Sequence, residues 1–100
     1  MKIDLEAQEL ITQDFELESR PEEPFIETLA YKIAYLLEHN PDLLFSYFYR
    51  MDIDEKKIES ILLAQGPGTI NLQLANLILQ RQIQRAETKK AYRQDKNIDI

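Results

Sequence analysis

From Thr69 to Gln94 the chain reads TINLQLANLILQRQIQRAETKKAYRQ, and this stretch constrains the fold more than any other. Its first half is apolar almost all round, with Ile70, Leu72, Leu74, Ala75, Leu77, Ile78 and Leu79. Its second half keeps only the narrow stripe of Ile83 and Ala86 and turns basic through Arg81, Arg85, Lys89, Lys90 and Arg93. The spacing predicts one helix of about 25 residues, roughly 37 Å long. A helix that is apolar all round must be buried, whereas one with a narrow stripe packs on one side only. The first half therefore belongs in a core, and the second half must project or find a partner.

The segments before it read as shorter helices separated by clear breaks. Ile3, Ala7, Leu10, Ile11 and Phe15 fit a helical stripe, and Asp4 can cap its start; the alternation of Ile3, Leu5 and Ala7 also fits a strand. The reading adopted is a short helix over about 4–14, within an acidic arm of residues 1–20 that packs on the domain or on a second subunit. SRPEEP, from Ser19 to Pro24, cannot continue a helix. Pro24 suits the first position of the next one, expected over 24–38, where Ile26, Leu29, Ile33 and Leu37 make a burial face. Asn40-Pro41-Asp42 caps and opens a helix over 41–50, LLFSYFYR after the acid. Asp54 caps another over 55–65, with Ile53 and Ile58 at the spacing of a hydrophobic staple. Gly66-Pro67-Gly68 stops that helix and Thr69 caps the long one.

These readings predict an all-α fold: a small helical bundle of four main helices over 21–94, the N-terminal arm as a fifth, and a frayed tail over 95–100. The absence of cysteine excludes disulfides and thiolate chemistry. MKIDLEAQEL carries acids where a secretory signal carries an apolar run, and no stretch approaches a membrane span. A soluble, cytoplasmic protein that does not engage membranes is the expectation. The net charge of −6 hides a gradient. Residues 1–28 hold two bases against nine acids, a net of −7; residues 80–96 hold six bases against two acids, a net of +4. An acidic front and a basic back can attract each other within a chain or between two chains.

The run LLFSYFYRMDIDEKKIESIL, followed by LANLILQRQIQRAETKK, resembles a pattern of short bacterial all-helical proteins of uncharacterised function. In that pattern a Tyr-Arg-x-Asp segment precedes a capped helix, and an Ile/Leu-rich helix ends in a basic, Gln-rich stretch. The matching residues are Tyr49, Arg50, Asp52, Arg81, Gln82, Arg85, Thr88 and Lys89. The resemblance spans about residues 40–90, leaves residues 1–25 outside, and implies an all-α fold with no activity attached.

Candidate chemistry is sparse. His39, the single histidine, lacks a second histidine or cysteine at ligand spacing and reads as a cation at a helix end. Asp52, Asp54, Glu55 and Glu59 fail as a calcium loop, because the positions that need an acceptor and a glycine are Lys56 and Lys57. Gly66-Pro67-Gly68-Thr69 has neither the lysine nor the preceding strand of a nucleotide loop. No catalytic, cofactor-binding or metal-binding residue is expected. Two leads remain. Arg81, Arg85, Lys89 and Arg93 recur every four residues and, with Lys90, form a candidate partner-binding row. It would meet solvent, a protein partner such as the acidic arm of a second copy, or nucleic acid. The aromatic helix offers Leu43, Tyr47, Phe48 and Met51 either to the core or to a homodimer interface. The expected function is a non-enzymatic interaction or adaptor domain that self-associates, with a nucleic-acid accessory role as the alternative. On this reading Leu79→Asp unfolds the domain, while Arg85→Glu leaves thermal stability nearly unchanged.

Overall fold

The computed structural model describes residues 2–17, 24–64 and 70–98, with side chains over 5–17, 24–64 and 70–91. The break at Ser19–Glu23, the Gly66-Pro67-Gly68-Thr69 link, residues 99–100 and the side chains of Ile3, Tyr92 and Arg93 lie outside that description. The described residues form five helices and no strand: α1 (Lys2–Asp14), α2 (Phe25–His39), α3 (Pro41–Arg50), α4 (Glu55–Leu63) and α5 (Ile70–Ile98). None of them is long and apolar enough to cross a membrane.

Local chemistry sets most of the boundaries. The Asn40 side chain accepts from the Leu43 amide, and Pro41 occupies the first turn of α3, where its missing N–H costs nothing. Asp54 caps α4 by accepting from the Lys56 amide at 2.9 Å. Ile53 and Ile58, one before that cap and four after it, are both buried in the core, as a staple requires. Pro24 is extended and precedes α2, one residue later than the expected helix start. α4 stops at Leu63, and only Ile58 of its apolar residues is fully buried.

α5 is the spine. Its 29 residues make a rod of about 43 Å, which accounts for most of the 52 Å long axis of the molecule. α1, α2 and α4 all pack against it, and α3 packs on α2. Leu74, Ala75 and Ile78 of α5 are fully buried, and Leu77 and Leu79 are half-buried against the same core. They meet Leu29, Ile33 and Leu36 from α2 and Leu44 and Phe48 from α3.

The structure bears on three expectations. Of the two places expected for the N-terminal arm, the domain or a second subunit, α1 takes the first, since Ala7, Ile11 and Phe15 are buried at helical spacing and α1 lies against α5. The Phe15 ring sits 4.7 Å from that of Tyr47, and burying one phenylalanine stabilises by about 1.5–3 kcal/mol. Residues 95–98, expected in the frayed tail over 95–100, belong to α5, which runs to Ile98; 99–100 lie outside the described residues. Finally, Tyr47, Phe48 and Met51 are core residues, at 5%, 2% and 1% exposure. Expected either in the core or at an oligomer interface, these three are enclosed within one chain, and the ring of Phe15, just beyond α1, packs against that of Tyr47. Leu43 is half-buried.

Candidate functional site on α5

α3 ends in a tight turn whose hydrogen bonds define a Schellman motif. The Ile53 amide donates to the Phe48 carbonyl at 3.0 Å, and the Asp52 amide donates to the Tyr49 carbonyl at 3.2 Å. The residue between, Asp52, takes the left-handed conformation that the motif requires, with φ of 58°. Glycine is the usual occupant, because a Cβ there costs roughly 1–2 kcal/mol. Asp52 instead brings a carboxylate to the place where α5 passes.

Three α5 side chains hold this turn. Gln82 is 1% exposed, and its side-chain amide donates to the Met51 carbonyl at 2.9 Å. Arg85 donates from Nη1 to the same carbonyl at 3.1 Å and to Gln82 Oε1 at 3.0 Å. Arg81 donates from Nε to the Asp52 carbonyl at 3.0 Å and from Nη2 to Asp52 Oδ2 at 2.5 Å. Its Nη1 donates to Gln84 Oε1 at 2.8 Å. The carbonyls that a helix leaves without internal partners are thus met by two guanidinium groups and an amide. The positive charges also complement the negative end of the α3 dipole. The hydrogen bond from Arg81 and then its charge hold the Asp52 carboxyl below its ordinary pKa, against an opposing desolvation and with a lesser contribution from Arg85. Beside this clamp lies a groove of about 660 Å³, lined by Ile53, Leu77 and Ile83 and by the charged Asp52, Asp54, Lys57, Arg81 and Glu87.

The candidate partner-binding row therefore divides. Arg81, half-buried, and Arg85, exposed, direct hydrogen bonds into their own chain, which the periodicity alone does not show. They were expected to face outward because a four-residue period reports a side of the helix but not what covers it. Lys89 and Lys90 are exposed and form no ion pair among the described residues; the Arg93 side chain is outside the description. Asp52 and Asp54 serve a turn and a cap, and among the described residues no three His, Asp or Glu side chains converge to hold a metal ion. His39 lies in the last turn of α2 with its ring 4.4 Å from that of Tyr35. Gln82 is the residue that sequence reading missed. It stands four after Ile78 and seven after Ala75, in phase with the buried stripe, and that phase was the available signal.

The surface presents aromatic rings elsewhere. Tyr31 and Tyr35 on α2 are 70% and 52% exposed, and Phe45 and Tyr49 on α3 are 44% and 87% exposed. Each pair is spaced by four residues, so each forms a short row along its helix.

Compared with protein-family models, with curated proteins and with solved structures, the chain matches none.

Proposed function

We propose that this chain is a non-enzymatic protein-interaction domain that self-associates. The observation that carries the reading is the exposure of Tyr31, Tyr35, Phe45 and Tyr49 in a domain whose Phe15, Tyr47 and Phe48 are buried. Tyrosine and phenylalanine are enriched at the centres of interfaces, where a large ring buries much area for the loss of few rotatable bonds. Four such rings in solvent, on two consecutive helices, supply the apolar contact that a partner requires.

The test is the solution mass by light scattering across a hundredfold range of protein concentration. A concentration-dependent approach to twice the chain mass is expected, and Tyr35→Ala with Tyr49→Ala should weaken it without shifting the melt. A monomer at every concentration would remove self-association from the proposal. A nucleic-acid role is the weaker reading. It draws on Lys89, Lys90 and Arg93 alone, since Arg81 and Arg85 hold the α3–α4 turn, and the net charge of −6 opposes a polyanion. Binding to a labelled duplex that weakens steeply with salt would restore it.

A further inference from the structure

The groove beside the α3–α4 turn holds one uncommitted charge of each sign. Its floor is apolar, with Ile53 buried and Leu77 and Ile83 half-buried. Of its charged lining, Asp52 and Arg81 pair with each other, and Asp54 caps α4 by accepting from the Lys56 amide. That leaves Lys57 on the α4 side and Glu87 on the α5 side, both exposed and neither in an ion pair among the described residues. Leu77, Gln80, Gln84 and Glu87 recur at three, four and three residues, so they lie on one face of α5 about 15 Å long. That spacing reads the same in both directions. An antiparallel copy of the face therefore meets it in register, with Gln80 of one copy opposite Gln84 of the other. A side-chain amide both donates and accepts, so it can pair with its like. A basic partner would answer Glu87 and oppose Lys57, and an acidic partner would do the reverse. A second copy supplies both signs at once.

We infer that this groove is a two-fold contact between copies of the chain, in which Lys57 of each copy is set against Glu87 of the other. This rests on the self-association proposed above and gives it a surface on α4 and α5, apart from the aromatic rows of α2 and α3. A two-fold axis brings the same patch of both copies together, so the Lys57–Glu87 pairing is made twice. The half-buried Leu77 and Ile83 supply the apolar contact between the two pairings.

The test is a charge swap on the full chain, read by light scattering. One variant carries Lys57→Glu and the other carries Glu87→Lys. The wild-type chain is expected to dimerise, and each variant alone to associate at least tenfold more weakly, because each sets like charges together at both pairings. An equimolar mixture of the two variants should regain the dimer mass, since both pairings then join opposite charges. Recovery on mixing cannot come from a contact within one chain. Circular dichroism melts of the variants should nearly coincide with that of the parent, as both positions are exposed. A wild-type chain that stays monomeric defeats the self-association reading and this inference together. A wild-type dimer that neither variant disturbs leaves self-association standing and overturns the assignment of the groove. Two weakened variants whose mixture stays monomeric overturn it as well.

Discussion

Two helices of this protein end in the same backbone turn, and among the described residues the side-chain hydrogen bonds from α5 reach one of them. α1 closes with the Leu17 amide donating to the Thr12 carbonyl at 2.9 Å and the Glu16 amide donating to the Gln13 carbonyl at 3.3 Å. α3 closes with the equivalent pair from Ile53 and Asp52. In each an acid takes the left-handed position, Glu16 at φ of 53° and Asp52 at 58°, and an apolar residue follows that packs against the core. The α3 turn then receives Arg81, Gln82 and Arg85, whereas the α1 turn meets the rest of the chain through the packing of Phe15 and Leu17. The difference separates two reasons for a strained residue. At Glu16 the strain follows from folding Leu17 inward. At Asp52 it also delivers a carboxylate and two carbonyls to the spine.

Removal of Gln82 should break the comparison most severely. Its side chain is buried and bridges the Met51 carbonyl and the Arg85 guanidinium. Gln82→Ala opens a cavity and costs about 2–4 kcal/mol by urea unfolding. Gln82→Leu keeps the volume, loses the hydrogen bonds, and should cost about half as much. A cost under about 0.5 kcal/mol for the alanine variant would mean that the clamp contributes nothing to stability.

Arg85→Glu comes next and reverses the sequence-based expectation of no effect. It removes the Arg85 hydrogen bonds to Met51 and Gln82 and sets an acid at the negative end of α3. The expected loss is about 1–2 kcal/mol, read as a lower urea midpoint with an unchanged slope. Lys89→Glu, one turn further along and free of the clamp, should leave that midpoint in place.

Glycine at the two turns should then have opposite consequences. Glu16→Gly relieves the left-handed strain, gives back part of the gain as unfolded-state freedom, and should stabilise by about 0.5–1 kcal/mol. Asp52→Gly gains the same relief but loses the carboxylate that Arg81 holds, so the midpoint should move less, or fall. If both glycine variants stabilise equally, the Arg81 contact adds nothing to the turn.

Much of this architecture was legible because it depends on neighbours in sequence. The caps at Asn40 and Asp54, the paired Ile53 and Ile58, and the long final helix all follow from residue type and spacing within one turn or two. What was hidden depends on neighbours in space. The left-handed turns carry no glycine to announce them, because inward packing of Leu17 and Ile53 overrides the local preference. Tyr47 read as core or interface from its helix alone, and its burial depends on Phe15, distant in sequence, packing against its ring. The basic row was legible as periodicity but silent on the contacts Arg81 and Arg85 make, since the turn they reach lies about thirty residues away in sequence. Asp52 and Arg81, quoted together in one sequence pattern, form the ion pair that joins its two halves.

The smallest effect is the pH dependence of that pair. Arg81, first by its hydrogen bond and then by its charge, lowers the Asp52 pKa in the folded chain. A carboxyl whose folded pKa is depressed contributes stability that is fully present above its unfolded value, near 3.9, and is lost as the pH falls through the folded value. The contribution should therefore be flat near neutrality and disappear below about pH 4. Because Asp52 is exposed, solvent screens the pair and the effect stays small. Asp52→Asn retains a residue that tolerates the left-handed turn, so the difference between the two proteins isolates the charge. Urea midpoints of parent and variant should be separated by a constant amount from pH 6 to 8 and should converge on acidification. A gap that stays constant down to pH 3 would show that Arg81 holds the turn through the Asp52 carbonyl alone.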